Sequence, residues 1–286
     1  MSNNDDLLEK IQHEKKYLID LCDGIYQGIA TGKDNVFLVD GNIILGHDIE
    51  RGILRPFLKG KNIRPYTIEW GGLYLIYPYD ENGNVISEQF FESHYPNAYQ
   101  YMLDNKDNLK GRSYFDKSSK AWYELWNQRK PTRFEGEKIV TLDNASCNSF
   151  ALDINGFFGT TTVYSLKIIS DDGLNNKYVL GVLNSKLLNY YHRNTSVPQA
   201  GGFFRYQALF IKNLPIASAN ETIVNRISKC VTEILLGKKQ NADTTSLENQ
   251  IDFLVYHLYG LTYDEVLKVD PETPISREEY EAYKEQ

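Results

Sequence analysis

Cysteine, methionine and proline are scarce in this chain of 286 residues, which has three Cys, two Met and nine Pro. The cysteines (Cys22, Cys147, Cys230) are odd in number and far apart. That excludes a disulfide framework and a Cys-x-x-Cys metal knuckle, and it fits reduced thiols in a cytoplasmic protein. No apolar run approaches the roughly 20 residues of a membrane span. The start, Met1-Ser-Asn-Asn-Asp-Asp6, has no apolar h-region, so no secretory signal is expected. Five histidines (His13, His47, His94, His192, His257) show no metal-ligand spacing, and Gly-x-Ser-x-Gly is absent. No metal ligand and no catalytic residue is assigned.

Two loops resemble ligand motifs and fail them. In Gly28-Ile-Ala-Thr-Gly32-Lys33 only three residues separate the glycines, and Asp34 stands where a P-loop needs Ser or Thr. Asp80-Glu-Asn-Gly-Asn84 has its glycine at position four, where a calcium loop needs it at six. Both read as turns.

Aromatics are abundant, with 21 Tyr, 13 Phe and three Trp. The formal charge of −7 argues against a phosphate-rich partner, but its distribution reverses that inference. Residues 51–70 carry Arg51, Arg55, Lys59, Lys61 and Arg64 against Glu69, a net +4. Residues 106–133 carry eight cations, Arg112, Arg129, Lys130 and Arg133 among them, against three acids, a net +5. The tail, 241–286, holds −8, which leaves residues 1–240 at +1. Cations interleaved with Trp and Tyr suit a phosphate-facing surface.

Patterning predicts an α+β fold: a curved mixed or antiparallel sheet with packed helices, followed by a helical tail. Expected helices cover 5–19, 96–109, 177–192 and 220–236. Strands are expected within 24–45 (Val36–Val39, then a hairpin turn at Asp40-Gly41) and over 73–77, 138–142, 160–166 and 208–211. Residues 194–206 read as a Gly-rich loop. Thr245-Ser-Leu-Glu248, Thr262-Tyr-Asp-Glu265 and Ser276-Arg-Glu-Glu279 read as capping boxes that open tail helices.

The order of several segments resembles the TaqI-like C-terminal specificity domain of adenine-N6 DNA methyltransferases and type IIG restriction–modification enzymes. The segments are Gly28-Ile-Ala-Thr-Gly-Lys-Asp-Asn-Val-Phe37, Leu54-Arg-Pro-Phe-Leu-Lys-Gly-Lys-Asn-Ile63, Trp122-Tyr-Glu-Leu125 with Arg129, Tyr178–Tyr191, Gly201-Gly-Phe-Phe-Arg-Tyr206, Ile211-Lys-Asn-Leu-Pro-Ile216 and Ile251–Glu265. The resemblance implies a target-recognition domain that presents loops to the major groove while a catalytic half flips and methylates an adenine. It implies an N-terminal helix or linker over 1–23, a recognition domain over 24–216 and a spacer or docking tail over 217–286.

The chain lacks the Asn/Asp-Pro-Pro-Tyr/Phe motif, the Phe-x-Gly-x-Gly cofactor loop and a Pro-Asp…(Asp/Glu)-x-Lys nuclease core. It is therefore expected to carry no cofactor. S-adenosylmethionine, with or without magnesium, would belong to a methyltransferase or endonuclease domain or subunit. The expected partner is double-stranded DNA, with no membrane. Arg55, Lys59, Lys61, Arg64, Arg112, Arg129, Lys130 and Arg133 would hold phosphates. Gln27, Thr31, Lys33, Arg205 and Tyr206 would face base edges. The alternatives are an interaction module that docks through its tail, and a half-size type I-like specificity subunit. An independent enzyme is the third hypothesis.

Overall fold

The computed structural model describes residues 5–13, 15–112, 115, 117–169 and 173–283. The signal-peptide reading of the first residues falls partly on 1–4, outside that set. The strands used below are β1 (Cys22–Gln27), β2 (Leu38–Val39), β3 (Leu54–Leu58), β4 (Tyr74–Ile76), β5 (Lys138–Leu142), β6 (Phe150–Asp153), β7 (Phe158–Gly159) and β8 (Val163–Ile168). The helices are α1 (Asp5–Gln12), α2 (Asn176–Asn184), α3 (Lys186–Thr195), α4 (Glu221–Lys239), α5 (Thr245–Leu258), α6 (Tyr263–Val269) and α7 (Arg277–Ala282).

One sheet runs β6-β5-β8-β1 and is antiparallel throughout. A second runs β7-β3-β4-β2, with β7 parallel to β3 and the other pairs antiparallel. The fold is thus α+β, with antiparallel sheets, packed helices and further helices at the C-terminal end. β-Branched and aromatic residues (Ile139, Val140, Thr141; Val163, Tyr164) supply the strands of the first sheet and bury on both faces.

Two large hydrophobic clusters divide the molecule, with a small third one of Leu58, Ile63, Val140, Ala151, Phe157 and Val163. One gathers Phe37, Phe57, Leu75, Phe91, Met102, Tyr123 and Phe158 around the second sheet. The other joins Leu7 and Ile11 of α1, Ile139 and Phe150 of the first sheet, and the apolar faces of α2 to α5. Residues from the expected 1–23, 24–216 and 217–286 segments all contribute to that second cluster. Gly181 marks the closest crossing. A Cβ there would stand 2.7 Å from Cγ2 of Ile227 in α4, so glycine lets α2 and α4 meet. Asp252 adds a polar tie. Its Oδ1 accepts from the Lys186 amide at 2.8 Å, and burial pushes its carboxyl up to about 7.

Several local expectations are corrected. Val36 and Phe37 belong to a helical turn (Asp34–Phe37), and only Leu38 and Val39 are strand. Asp40-Gly41 is a helix start rather than a hairpin, because Asp40 Oδ1 accepts the amides of Asn42 and Ile43 and caps Gly41–Gly46. The expected helix at 5–19 stops at Gln12, and Lys16–Tyr17 pairs with Pro215–Ile216. The expected helix at 177–192 is two helices. Ser185 is extended, donates to the Val182 carbonyl and caps α3 through the Leu188 amide. Ala208–Ile211 is a helical turn. At α5 the cap falls on Thr244, whose Oγ1 meets Glu248 Oε1, so the 245–248 box does not form. The box at Thr262–Glu265 does form, and Ser276 caps α7. Among the described residues no helix is long and apolar enough to cross a membrane.

Lys138 and Asp153, opposite each other across β5 and β6, form an ion pair buried to within 1% of full exclusion. Lys138 also donates to the Phe134 carbonyl, while Asp153 accepts the amides of Asn155 and Phe157. Burial pulls the Lys138 proton affinity down, and Asp153 opposes that. Asp153→Ala strands a buried ammonium, so it is expected to cost about 3–5 kcal/mol. The urea midpoint measures this, and a loss below about 1 kcal/mol would contradict the pair's role.

Candidate nucleic-acid interface

The loop after β1 organises the face on which the basic stretches meet. Gly28 donates to the Val163 carbonyl at 3.0 Å, and a Cβ there would lie 2.2 Å from the Gly159 oxygen. Ile29 then bridges Thr160, and Ala30 bridges Asn127. Gly32, at φ +81°, lets the chain turn beneath Trp126, whose amide donates to the Thr31 carbonyl at 3.2 Å. The loop is therefore stitched to the 126–133 segment on one side and to the β7–β8 turn on the other.

The side chains follow that stitching. Lys33 stands at the start of the Asp34–Phe37 turn, and Lys59 reaches the Asp34 carboxylate at 3.7 Å. Gln27 donates to the Thr161 carbonyl at 2.8 Å, and its own carbonyl accepts from Arg129 Nε at 3.3 Å. Arg133 lies over the Tyr26 ring, 4.0 Å from its centroid. Partial burial and the neighbouring Arg133 charge lower the Arg129 pKa from its ordinary value. Lys130 is exposed beside Gly83. Gln27, Lys33, Lys59, Arg129, Lys130 and Arg133 are thus brought together from three separate parts of the sequence. Tyr26, which supports Arg133, and Lys167, which donates to the Thr132 carbonyl at 2.7 Å, carried no motif that would single them out.

Other expected contacts lie elsewhere. Arg64 bonds the Lys61 and Ile63 carbonyls and stands 3.7 Å from Glu69. With Lys61 exposed beside it, Arg64 lies toward Lys238 and Glu248 of the tail. Arg55 donates to the Gly52 and Leu54 carbonyls and faces Tyr77.

Three expectations are corrected. Arg112 is only 9% exposed. Its guanidinium donates to the carbonyls of Leu109, Glu124 and Trp122 and stacks on Phe115, so it is committed to holding its own loop. Thr31 is buried, with Oγ1 donating to Asp34. Tyr206 is fully buried, with its hydroxyl donating to Asn148 Oδ1 at 2.8 Å.

Arg205 sits on a three-stranded ribbon (Pro198–Gln199, Phe203–Arg205, Asn144–Ala145) rather than in a plain loop. The Tyr206 amide donates to the Asp143 carbonyl, and the Asp143 amide donates to that of Thr162. The ribbon is thereby continuous with the β7–β8 turn. Burial raises the Asp143 pKa, and the Arg205 charge opposes that rise. Among the described residues no cluster of His, Cys, Asp and Glu could hold a metal ion.

The chain belongs to the family of TaqI-like C-terminal specificity domains, whose family model matches residues 55–216. It is 28% identical over 236 residues to the type II methyltransferase M.MjaIV of Methanocaldococcus jannaschii, covering 80% of this chain and 76% of that protein. It is 26% identical over 255 residues to the type II methyltransferase M.BanIII of Aneurinibacillus aneurinilyticus, covering 85% of this chain but only 42% of that one. Its fold resembles that of the type IIL restriction–modification enzyme MmeI, solved in complex with DNA, with a TM-score of 0.59 at 12% identity. That match covers 94% of this chain and 37% of MmeI.

The Arg205 backbone rests on a buried histidine. His192 Nε2 donates to the Arg205 carbonyl at 2.9 Å, its ring lies 4.2 Å from that of Tyr206, and Nδ1 has no hydrogen-bond partner. Burial pushes this imidazole down to about 4. The unfolded chain, with an ordinary His pKa of about 6.5, takes up that proton first as pH falls. The stability His192 contributes is therefore present above about pH 6.5 and lost toward pH 4. His192→Gln keeps a donor and does not titrate, so its urea midpoint should fall less than the wild type's between those pH values. Equal losses in both proteins would contradict the assignment.

Proposed function

We propose that this chain is the target-recognition module of a restriction–modification enzyme, and that it binds duplex DNA through the face around Gly28–Gly32. The observation that carries the proposal is the convergence of Lys33, Lys59, Arg129, Lys130 and Arg133. Phosphates spaced along a duplex require several cations held at fixed separations. In this reading Lys59, Arg129, Lys130 and Arg133 set register on the backbone, while Gln27, Lys33 and Arg205 face base edges. Lys61 and Arg64 are secondary phosphate contacts at the tail side. Recognition belongs to 24–216, with 1–23 and 217–286 as buttresses. Methyl transfer from S-adenosylmethionine, or cleavage with magnesium, belongs to a catalytic domain or subunit, in the cytoplasm. Docking through the tail is the weaker reading, because Ile251, Leu254 and Val255 are buried in this chain's own core.

Fluorescence anisotropy with a labelled mixed-sequence duplex across a salt series tests the proposal. The four primary phosphate contacts give a log–log slope of roughly −3.6, steepening to about −5.4 with Lys61 and Arg64. Lys130→Ala should reduce its magnitude by about 1 and weaken all sequences alike. No binding at low salt, or affinity that ignores salt, would overturn the reading.

A further inference from the structure

The ribbon that carries Arg205 leaves an aromatic side chain, Phe203, partly exposed against the Gly201 backbone of its tip. Its tip, Ala200-Gly201-Gly202, has both glycines at positive φ (78° and 79°), a backbone that disfavours other residues. Phe203 and Val197 beside the tip are 42% and 45% exposed. The stem, in contrast, is fixed from several directions. His192 and Ser196 both donate to the Arg205 carbonyl, at 2.9 and 3.0 Å. Arg193 donates to the Ser146 carbonyl at 2.9 Å and covers the Phe204 ring at 4.8 Å. Tyr206 is locked onto Asn148, which in turn donates to the Leu183 carbonyl. An exposed apolar tip on a rigid stem is pre-organised for a ligand, since little ordering entropy remains to be lost on contact.

Charge indicates what that ligand is. From Gly173 to Asn220 there is no Asp or Glu, and the cations beside the ribbon are Arg193 and Arg205, with Asp143 facing Arg205 and Lys186 paired to Asp270 on the tail side. The ribbon also continues into the Asp143–Thr162 strip that borders the cationic face. An anionic polymer with flat apolar surfaces between its charges satisfies both features, and stacked bases along a phosphate backbone are such a polymer.

We infer that Phe203 is a wedge residue that leaves the protein surface and inserts against base stacks of the bound duplex, with Val197 packing behind it, Arg193 neutralising a flanking phosphate and Arg205 at the neighbouring base edge. Apolar wedges of this kind unstack a step locally and bend the helix. The inference rests on the duplex-binding reading proposed above. It adds a contact that is insensitive to salt to a face otherwise built of cations.

The test uses the full chain and a short mixed-sequence duplex containing 2-aminopurine, whose emission rises on unstacking. Phe203→Ala should keep the wild-type melting temperature and the wild-type salt slope. It should weaken binding about tenfold, the scale of one base–aromatic stack, and abolish the emission rise. Phe203→Tyr should retain both affinity and rise. Phe203→Ala affinity within about twofold of wild type, with the rise intact, would overturn the inference. If Lys130→Ala still weakens binding in that case, the duplex-binding reading survives alone. If the wild-type chain binds no duplex, both fall. Loss in Phe203→Ala of binding to phosphatidylserine vesicles, with duplex binding unaffected, would also overturn the inference in favour of a membrane surface.

Discussion

The meeting of Gly28 with the Gly159 and Thr160 carbonyls is the constraint on which the rest of the molecule depends. Carbonyl oxygens occupy the space of a side chain there, at 2.2 and 2.3 Å from where a Cβ would stand. This close approach lets the chain after β1 leave the first sheet and run against the turn that leads from β7 of the second sheet back into β8 of the first. It is also what carries residues 29–34 across to Asn127. Two basic stretches separated by dozens of residues come to border one loop as a result. A larger residue at 28 would push the loop off that turn and take the cationic face apart.

The same geometry resolves the contradiction in charge. A net −7 describes no surface of the molecule. Among the described residues, four of the tail's eleven acids are paired on the tail side at 2.5 to 2.9 Å: Glu265 with Lys10, Asp270 with Lys186, Glu248 with Lys238, and Asp264 with Arg277. Such exposed pairs add little stability. Their consequence is placement, since they hold negative charge on the helical end, away from Lys59, Arg129 and Lys130. On the cationic face Asp34 is an acid that touches the cluster, 3.7 Å from Lys59.

Elements governed by local pattern were legible in the sequence. The strands at 138–142 and 73–77, the Pro-started helix at 96 and the box at Thr262 rest on alternation, Pro geometry and capping chemistry, all local. Boundaries decided by a single polar contact were not. Asp40 caps a helix where an Asp-Gly pair suggested a hairpin, and Ser185 splits a run of apolar residues whose spacing continues across the break. In the site, sequence located the cations but not their direction. Arg112 and Arg129 look alike in the chain, and both donate to carbonyls near them, yet Arg112 is buried while Arg129 stays partly exposed beside Arg133. Tyr206 comes directly after the strand that ends at Arg205, and it turns into the core with its hydroxyl on Asn148.

The central claim is that separate basic stretches form one duplex-binding face around the Gly28–Gly32 loop. Hydrogen–deuterium exchange of the full chain, with and without a saturating mixed-sequence duplex at low salt, tests it most directly. The account predicts simultaneous protection of amides at 29–34, 59–62, 126–133 and 198–205, with those of the 241–283 tail unchanged. Protection confined to the tail, or protection of only one basic stretch while the other exchanges as in the free chain, would contradict it.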